Sequence, residues 1–239
     1  MTLKVMCARA LTEVVNAVVR DFIAGGEQQV SITYGTVGAL QAKLDAGEQA
    51  DVVILSAPLI ERLEQSGSLK AASSRTIGST GIGVAVREGA ATPDIATLET
   101  FKATLMTARS IAFSDPAVGG SAGVYLAGLF ERMGVADTIR QKGLPQQSGG
   151  EVARRVAEGV AEIGMTQVSE MLAVRGISVV GSLPAPLGKD TVYRAAITAR
   201  STSAAAAAFV AKLHSPECHA LLTAAGFDPP RVIDYSGKI

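Results

Sequence analysis

A chain of 239 residues, 48% of them hydrophobic, has the apolar material for a sizeable core, and its 22 basic and 22 acidic side chains cancel. No net field draws it to nucleic acid or to an anionic membrane, so any anion it binds is gripped by local groups. Cys7 and Cys218 lack metal or disulfide-framework spacing and read as reduced thiols, and no window reaches the roughly 18 uninterrupted apolar residues of a membrane span.

In chain order, residues 3–8 (LKVMCA) form a short apolar run that reads as a strand. Leu11, Val14, Val15, Val18, Val19 and Phe22 then recur at helical spacing, and Gly25-Gly26 stop that helix. The unit repeats: strand 29–35, helix 39–47 with a glycine stop, and the continuous β-branched run 51–56. Such runs alternating with helices predict parallel strands covered on both faces. The glycine-spaced stretch 76–89 breaks the rhythm and reads as a long strand able to carry the chain from one lobe to another.

A second α/β set follows: strand 110–114, a helix after Gly120, a helix over 151–159 and strand 162–167. A long strand over 190–199 comes next, and helices over 203–213 and 215–225 close the chain. Two long strands flanking a middle block predict a discontinuous lobe of residues 1–80 plus 195–239. It embraces an inserted lobe of residues 81–194, with the site in the cleft between them.

The motif "SDPAVGGSAG" carries a double glycine into a helix. Glycines let a ligand approach the backbone, and the first helical N–H groups have no intrahelical partners while the helix dipole points out of the same end. Gly119, Gly120, Ser121 and Ala122 can therefore form an anion cradle, and Ser148-Gly149-Gly150 repeats the design. Either glycine pair also reads as a plain strand-to-helix turn, as does "SDP" at 114–116.

The order and spacing of "ALTEVVNAVVRDF", "YGTVGALQAKLDAGEQADVVILSAP", "AFSDPAVGGSAGVYLAGLFERMG" and "GGEVARRVAEGVAEIGMTQVSEM" resemble the type II periplasmic substrate-binding proteins of the molybdate-binding kind. The likeness runs through the final "LLTAAGFDPP". It implies an α/β fold of two lobes, each a mainly parallel sheet flanked by helices, joined by two hinge strands and closing over a ligand. Serine hydroxyls that hold the oxyanion in the molybdate binders correspond here to Ala10 and Val37, and a family tyrosine corresponds to Gln167. Ala122 and Gly149 can still offer backbone N–H groups. Losing a charge-assisted hydrogen bond costs on the order of 1.5–3 kcal/mol, so molybdate is expected to bind poorly.

Arg9, at the end of the first strand, suits a planar carboxylate through its guanidinium fork, and Arg194 could supply a second. Thr36, Ser56, Ser79 and Thr80 are hydroxyls at strand ends or the hinge entry. Each of these residues equally fits a cap, a turn or a hinge brace. His214, His219 and the small thiol of Cys7 read as packing or surface groups, and no nucleophile, base and acid set can be assembled.

The resemblance implies a receptor for a small anion, with a transporter permease of the ABC type as partner if the chain is exported, and the arginine forks point to a di- or tricarboxylate as that anion. Aconitate isomerase belongs to the same family. The alternative is therefore an enzyme that moves a proton and double bond in a tricarboxylate, with Cys7, Tyr34 or Ser56 as the nearest groups to a base. Neither metal nor cofactor is expected, and neither nucleic acid nor membrane insertion. The start "MTLKV" carries no signal-peptide pattern, so the sequence as written reads as cytoplasmic; a removed signal peptide would make it periplasmic.

Overall fold

A computed structural model describes residues 2–26 and 28–230. Residues 231–239, which the sequence assigns to the discontinuous lobe, lie outside the described residues. The N-terminal elements are β1 (Leu3–Ala8), α1 (Thr12–Ala24), β2 (Val30–Gly35), α2 (Val37–Asp45), β3 (Val52–Ser56) and α3 (Ala57–Gln65), followed by the long β4 (Arg75–Arg87). The middle block holds α4 (Leu98–Thr107), β5 (Ile111–Ser114), α5 (Ser121–Arg132), α6 (Ala136–Lys142), β6 (Gly143–Gln146), α7 (Gly149–Ala157), β7 (Ile163–Gln167), α8 (Val168–Leu172) and β8 (Ile177–Ser182). The chain ends in β9 (Asp190–Ile197), α9 (Ala205–Lys212) and α10 (Pro216–Ala224).

The predicted periodicities have physical partners. Leu11, Val14, Val15, Val18 and Phe22 are all buried, and Phe22 meets Phe209 of α9 edge-on at 5.2 Å between ring centroids. Gly25 caps α1, and Gly26 follows at φ +81°, a backbone region that glycine enters at no steric cost. Every residue of β3 is buried, as its unbroken apolar run requires. The sequence reading passes over α3, α4, α6, α8, β6 and β8. Of these, α6, α8 and β6 span only seven, five and four residues, and β6 carries Pro145, which cannot donate to a ladder and suits a strand at the end of a sheet.

The strands run in the order β2-β1-β3-β9-β4-β7-β5-β6, with β8 also on β4. Parallel pairing joins β1 to β2 and β3 on one side, and β5 to β6 and β7 on the other. Between these two parallel sets lies β4: residues Arg75–Gly81 pair with β9, and from Ile82 onward it pairs with β7. Separate hydrophobic clusters back the two sides. On the first side one centres on α1, α9 and α10 (Val15, Phe22, Phe209, Leu222) and another on α2 and α3 (Leu40, Leu59, Ile60); on the second side one centres on α4 and α5 (Phe101, Leu126, Phe130) and a smaller one on α7 (Val152, Val156). The fold is therefore the predicted α/β architecture. Residues 190–194 of β9 lie beside β3 and β4, with Ser56 opposite Tyr193 and Leu55 opposite Arg194.

Candidate functional site

The parallel strands of both sets end toward one cleft, where strand-to-helix junctions from the two sides face each other. The cleft encloses a cavity of about 40 Å³, far below the roughly 300–1,000 Å³ of small-molecule sites, so its two walls stand close together. Among the predicted site residues, Arg9, Ala10, Thr36, Gly120, Ser121, Ala122, Gly149 and Gln167 line it together. Val37 lies in the same wall.

Local folding explains several of these positions. Gly120 is the N-cap of α5, with no side chain to occupy the following N–H groups. Gly123 brings that helix end close to β5, because a Cβ there would lie 2.6 Å from the Ser114 carbonyl oxygen. Thr36 caps α2, accepting from Ala39 N at 3.2 Å while its hydroxyl donates across the cleft to Val118 O at 2.6 Å. Arg9 is exposed and reaches over the cleft, its Nη1 3.5 Å from Gln147 O. The α7 helix begins at Gly149, two residues earlier than the sequence suggests, with Ser148 as its cap.

The other predicted site residues stand elsewhere. Ser56 is buried at the N-cap of α3. Ser79 exchanges backbone hydrogen bonds with Asp228 at 2.9 and 2.8 Å. Thr80 is buried and donates to Gly226 O at 3.0 Å. Gly150 lies within the first turn of α7, outside the cleft wall. Arg194 pairs through Nη1 with Glu64, 3.6 Å away on the β3 side of the sheet and outside the cleft wall, with its Nε buried and without a partner among the described residues. Strand-end position alone does not distinguish such residues from cleft residues.

Tyr34 donates to Asn16 Oδ1 at 2.7 Å, and burial pushes both its phenol and the Cys7 thiol well above their ordinary ranges. Both stay protonated and unsuited to act as bases. Asp115 caps its own turn by accepting from Ala117 N at 2.9 Å. His214 and His219 stack edge-on at 5.3 Å beside the terminal helices.

Ser148 of the second predicted cradle lines the cleft too, and Ser114, Gln147, Glu170 and Tyr193, which the sequence reading does not assign to it, complete the wall. The part-buried Glu170 accepts from Gly149 N at 3.2 Å and from Thr166 Oγ1 at 3.4 Å. Thr166 in turn lies 2.8 Å from Ser114 Oγ. Burial raises the Glu170 carboxyl above the usual carboxylate range, against the opposing pull of the Gly149 amide, the Thr166 hydroxyl and the Arg9 charge. Tyr193 donates to Gln167 Oε1 at 2.9 Å, which leaves Gln167 Nε2 buried and without a partner among the described residues. The sequence signal for Glu170 is slight: an acid three residues past the end of a strand whose last residue is itself in the site.

Two parallel strand sets bridged by one long strand, with helix starts and an arginine converging on the cleft between them, define the type II periplasmic-binding-protein fold. The chain belongs to the family described as bacterial extracellular solute-binding protein, whose model matches residues 3–228. It is 38% identical over 169 residues to an aconitate isomerase from a Pseudomonas species; the matched segment is 70% of this chain and 62% of that relative, less than two thirds of its length. Among solved structures, the periplasmic molybdate-binding protein of Azotobacter vinelandii is similar with a TM-score of 0.77 at 21% identity, covering 96% of this chain and all of the other. A sulfate-binding protein from Mycobacterium tuberculosis has a TM-score of 0.75 at 19% identity, covering 98% and 88%. At those identities the solved structures speak for the fold alone.

Proposed function

We propose that the cleft takes a small carboxylate anion, of the di- or tricarboxylate class, and closes over it. The observation that carries this reading is Gln167 Nε2. A buried donor without an acceptor costs about 1–3 kcal/mol, and this one stands in the wall that Arg9 and the first amides of α5 also share. Three kinds of donor around one cavity ask for a ligand rich in acceptors. The guanidinium fork matches a planar carboxylate, and the hydroxyls that would grip a tetrahedral oxyanion are replaced by Ala10 and Val37. Closure would be a movement of two lobes about β4, near Gly81–Ile82, and the segment leading into Asp190. As a receptor, the protein would hand its ligand to a transporter permease.

Calorimetric titration with citrate, aconitate, tricarballylate, succinate, molybdate and sulfate tests the reading. Binding of at least one carboxylate, with molybdate and sulfate at least a hundredfold weaker, is the expected result. Molybdate binding tighter than every carboxylate would overturn it.

A second reading, an isomerase acting on an unsaturated tricarboxylate, is favoured by Glu170. The cleft contains an acid–base group of the kind that reaction needs, and the 38% identical relative is named for it.

A further inference from the structure

Glu170 is the single acidic side chain in the cleft wall among the described residues. In a pocket that only holds an anion, such a group repels its own ligand. Yet the surroundings are shaped to keep it there. Its two oxygens have separate partners, the Gly149 amide and the Thr166 hydroxyl, and the latter is tied to Ser114. Gly149 has no side chain where a Cβ would collide with the Glu170 carboxylate and the Thr166 hydroxyl. The helix start that could have cradled a ligand oxygen is thus partly given over to an internal carboxyl group. The same cavity is lined by Arg9, from the end of β1, and by Gln167, at the start of the helix that carries Glu170, donors able to hold the charge that builds on a substrate carboxylate as a neighbouring C–H bond is broken.

We propose that Glu170 carries the proton in an allylic shift on an unsaturated carboxylate bound in this cleft, an assignment that rests on the isomerase reading above and, through it, on carboxylate binding. The Glu170 carboxylate takes a proton from the CH₂ carbon next to the double bond, forming an O–H bond. The C–H electron pair becomes the new double bond, and the old double-bond pair moves into the conjugated carboxylate, facing Arg9. Glu170 then returns a proton to the far allylic carbon, the electrons fall back, and the carboxylate is regenerated. Atoms and charge balance, and nothing is oxidised or reduced. Burial supports the role, since it makes the carboxylate more basic than a surface glutamate.

The test follows trans-aconitate in deuterated buffer by proton NMR, alongside calorimetry, for the parent, Glu170→Gln and Glu170→Asp. The amide of Glu170→Gln keeps an oxygen for Gly149 and removes the base. The expected result is deuterium entry and isomerisation by the parent, a loss of at least a hundredfold in Glu170→Gln with aconitate affinity kept within about threefold, and partial activity in Glu170→Asp. Exchange by Glu170→Gln at the parent's rate overturns the assignment. Binding by the parent without exchange overturns it and leaves the carboxylate reading standing, whereas no binding of any carboxylate removes both. Should Glu170→Gln fail to fold, Glu170→Asp decides: exchange undiminished by the shorter side chain counts against Glu170.

Discussion

Gly38 and Gly119 meet backbone to backbone across the mouth of the cleft. The Gly38 N–H donates to Gly119 O at 3.1 Å, and a Cβ on either residue would lie 3.1 Å from the other's Cα. Together with the Thr36–Val118 hydrogen bond, this contact shuts the mouth beside Arg9. Neither glycine belongs to a hydrophobic cluster, so a side chain there tests closure with little effect on either core. Gly38→Val is expected to fold and melt close to the parent, to show a larger radius of gyration in X-ray scattering, and to bind aconitate at least tenfold more weakly. An unchanged radius and affinity would mean that the mouth closes without this contact.

Gly149 is fixed by a neighbour rather than by its dihedral angles. Its missing Cβ leaves room for the Glu170 carboxyl and the Thr166 hydroxyl. Overpacking of this kind costs roughly 1–3 kcal/mol. Gly149→Ala is therefore expected to lose stability of that order in urea melts. Gly150→Ala, whose Cβ meets only Arg154 Nη1 at 3.7 Å, should be close to neutral. Equal effects at both positions would argue for a general helix-start effect instead.

The raised carboxyl of Glu170 makes a pH prediction whose sign can be worked out. A carboxyl that titrates higher in the folded chain keeps its proton where the unfolded chain has released it. Its contribution to stability is complete below the ordinary glutamate range and is lost as pH rises through the folded value. Arg9, the Gly149 amide and the Thr166 hydroxyl oppose the shift without reversing it. Glu170→Gln should flatten that part of the melting-temperature profile and gain on the parent above it. A parent profile that rises through this window relative to Glu170→Gln would show that the ionised form is the favoured one.

What could be read from the sequence was local. Helix α1 is legible because Val14, Val15, Val18 and Phe22 fall on one face and that face is buried. Gly120 and Ala122 are legible for a similar reason: a glycine between a strand and a helix marks a helix start whatever the chain does elsewhere. Glu170 is not, because its meaning comes from Gly149, 21 residues earlier on another helix. Nor is the mouth, where Gly38 meets a loop from the other parallel set. Ser56 and Thr80 look like Thr36 on paper, a hydroxyl at or near a strand end. Only the packing shows that Thr36 faces Val118 across the cleft while Thr80 is tied to Gly226.

Arg9 and Arg194 pose the same problem for the charges, and the structure separates their consequences. Arg194 is held against Glu64 at 3.6 Å, outside the cleft, in a half-open pair of the sort that contributes about 1 kcal/mol or less. Arg194→Ala should leave aconitate affinity unchanged and alter stability only slightly. Among the described residues Arg9 has no carboxylate within salt-bridge reach, and it lines the cavity and touches the opposite wall at Gln147. Its charge is available to a ligand, so Arg9→Ala should weaken aconitate binding at least tenfold, or about 1.4 kcal/mol. Because the side chain is exposed, part of its effect is screened, and the difference between parent and Arg9→Ala should shrink as salt is raised. Arg9→Lys should restore only part of the loss, since an ammonium supplies charge without the planar fork. Full rescue by lysine would mean that charge alone holds the ligand, and equal losses at Arg9 and Arg194 would place the ligand's carboxylate outside this cleft.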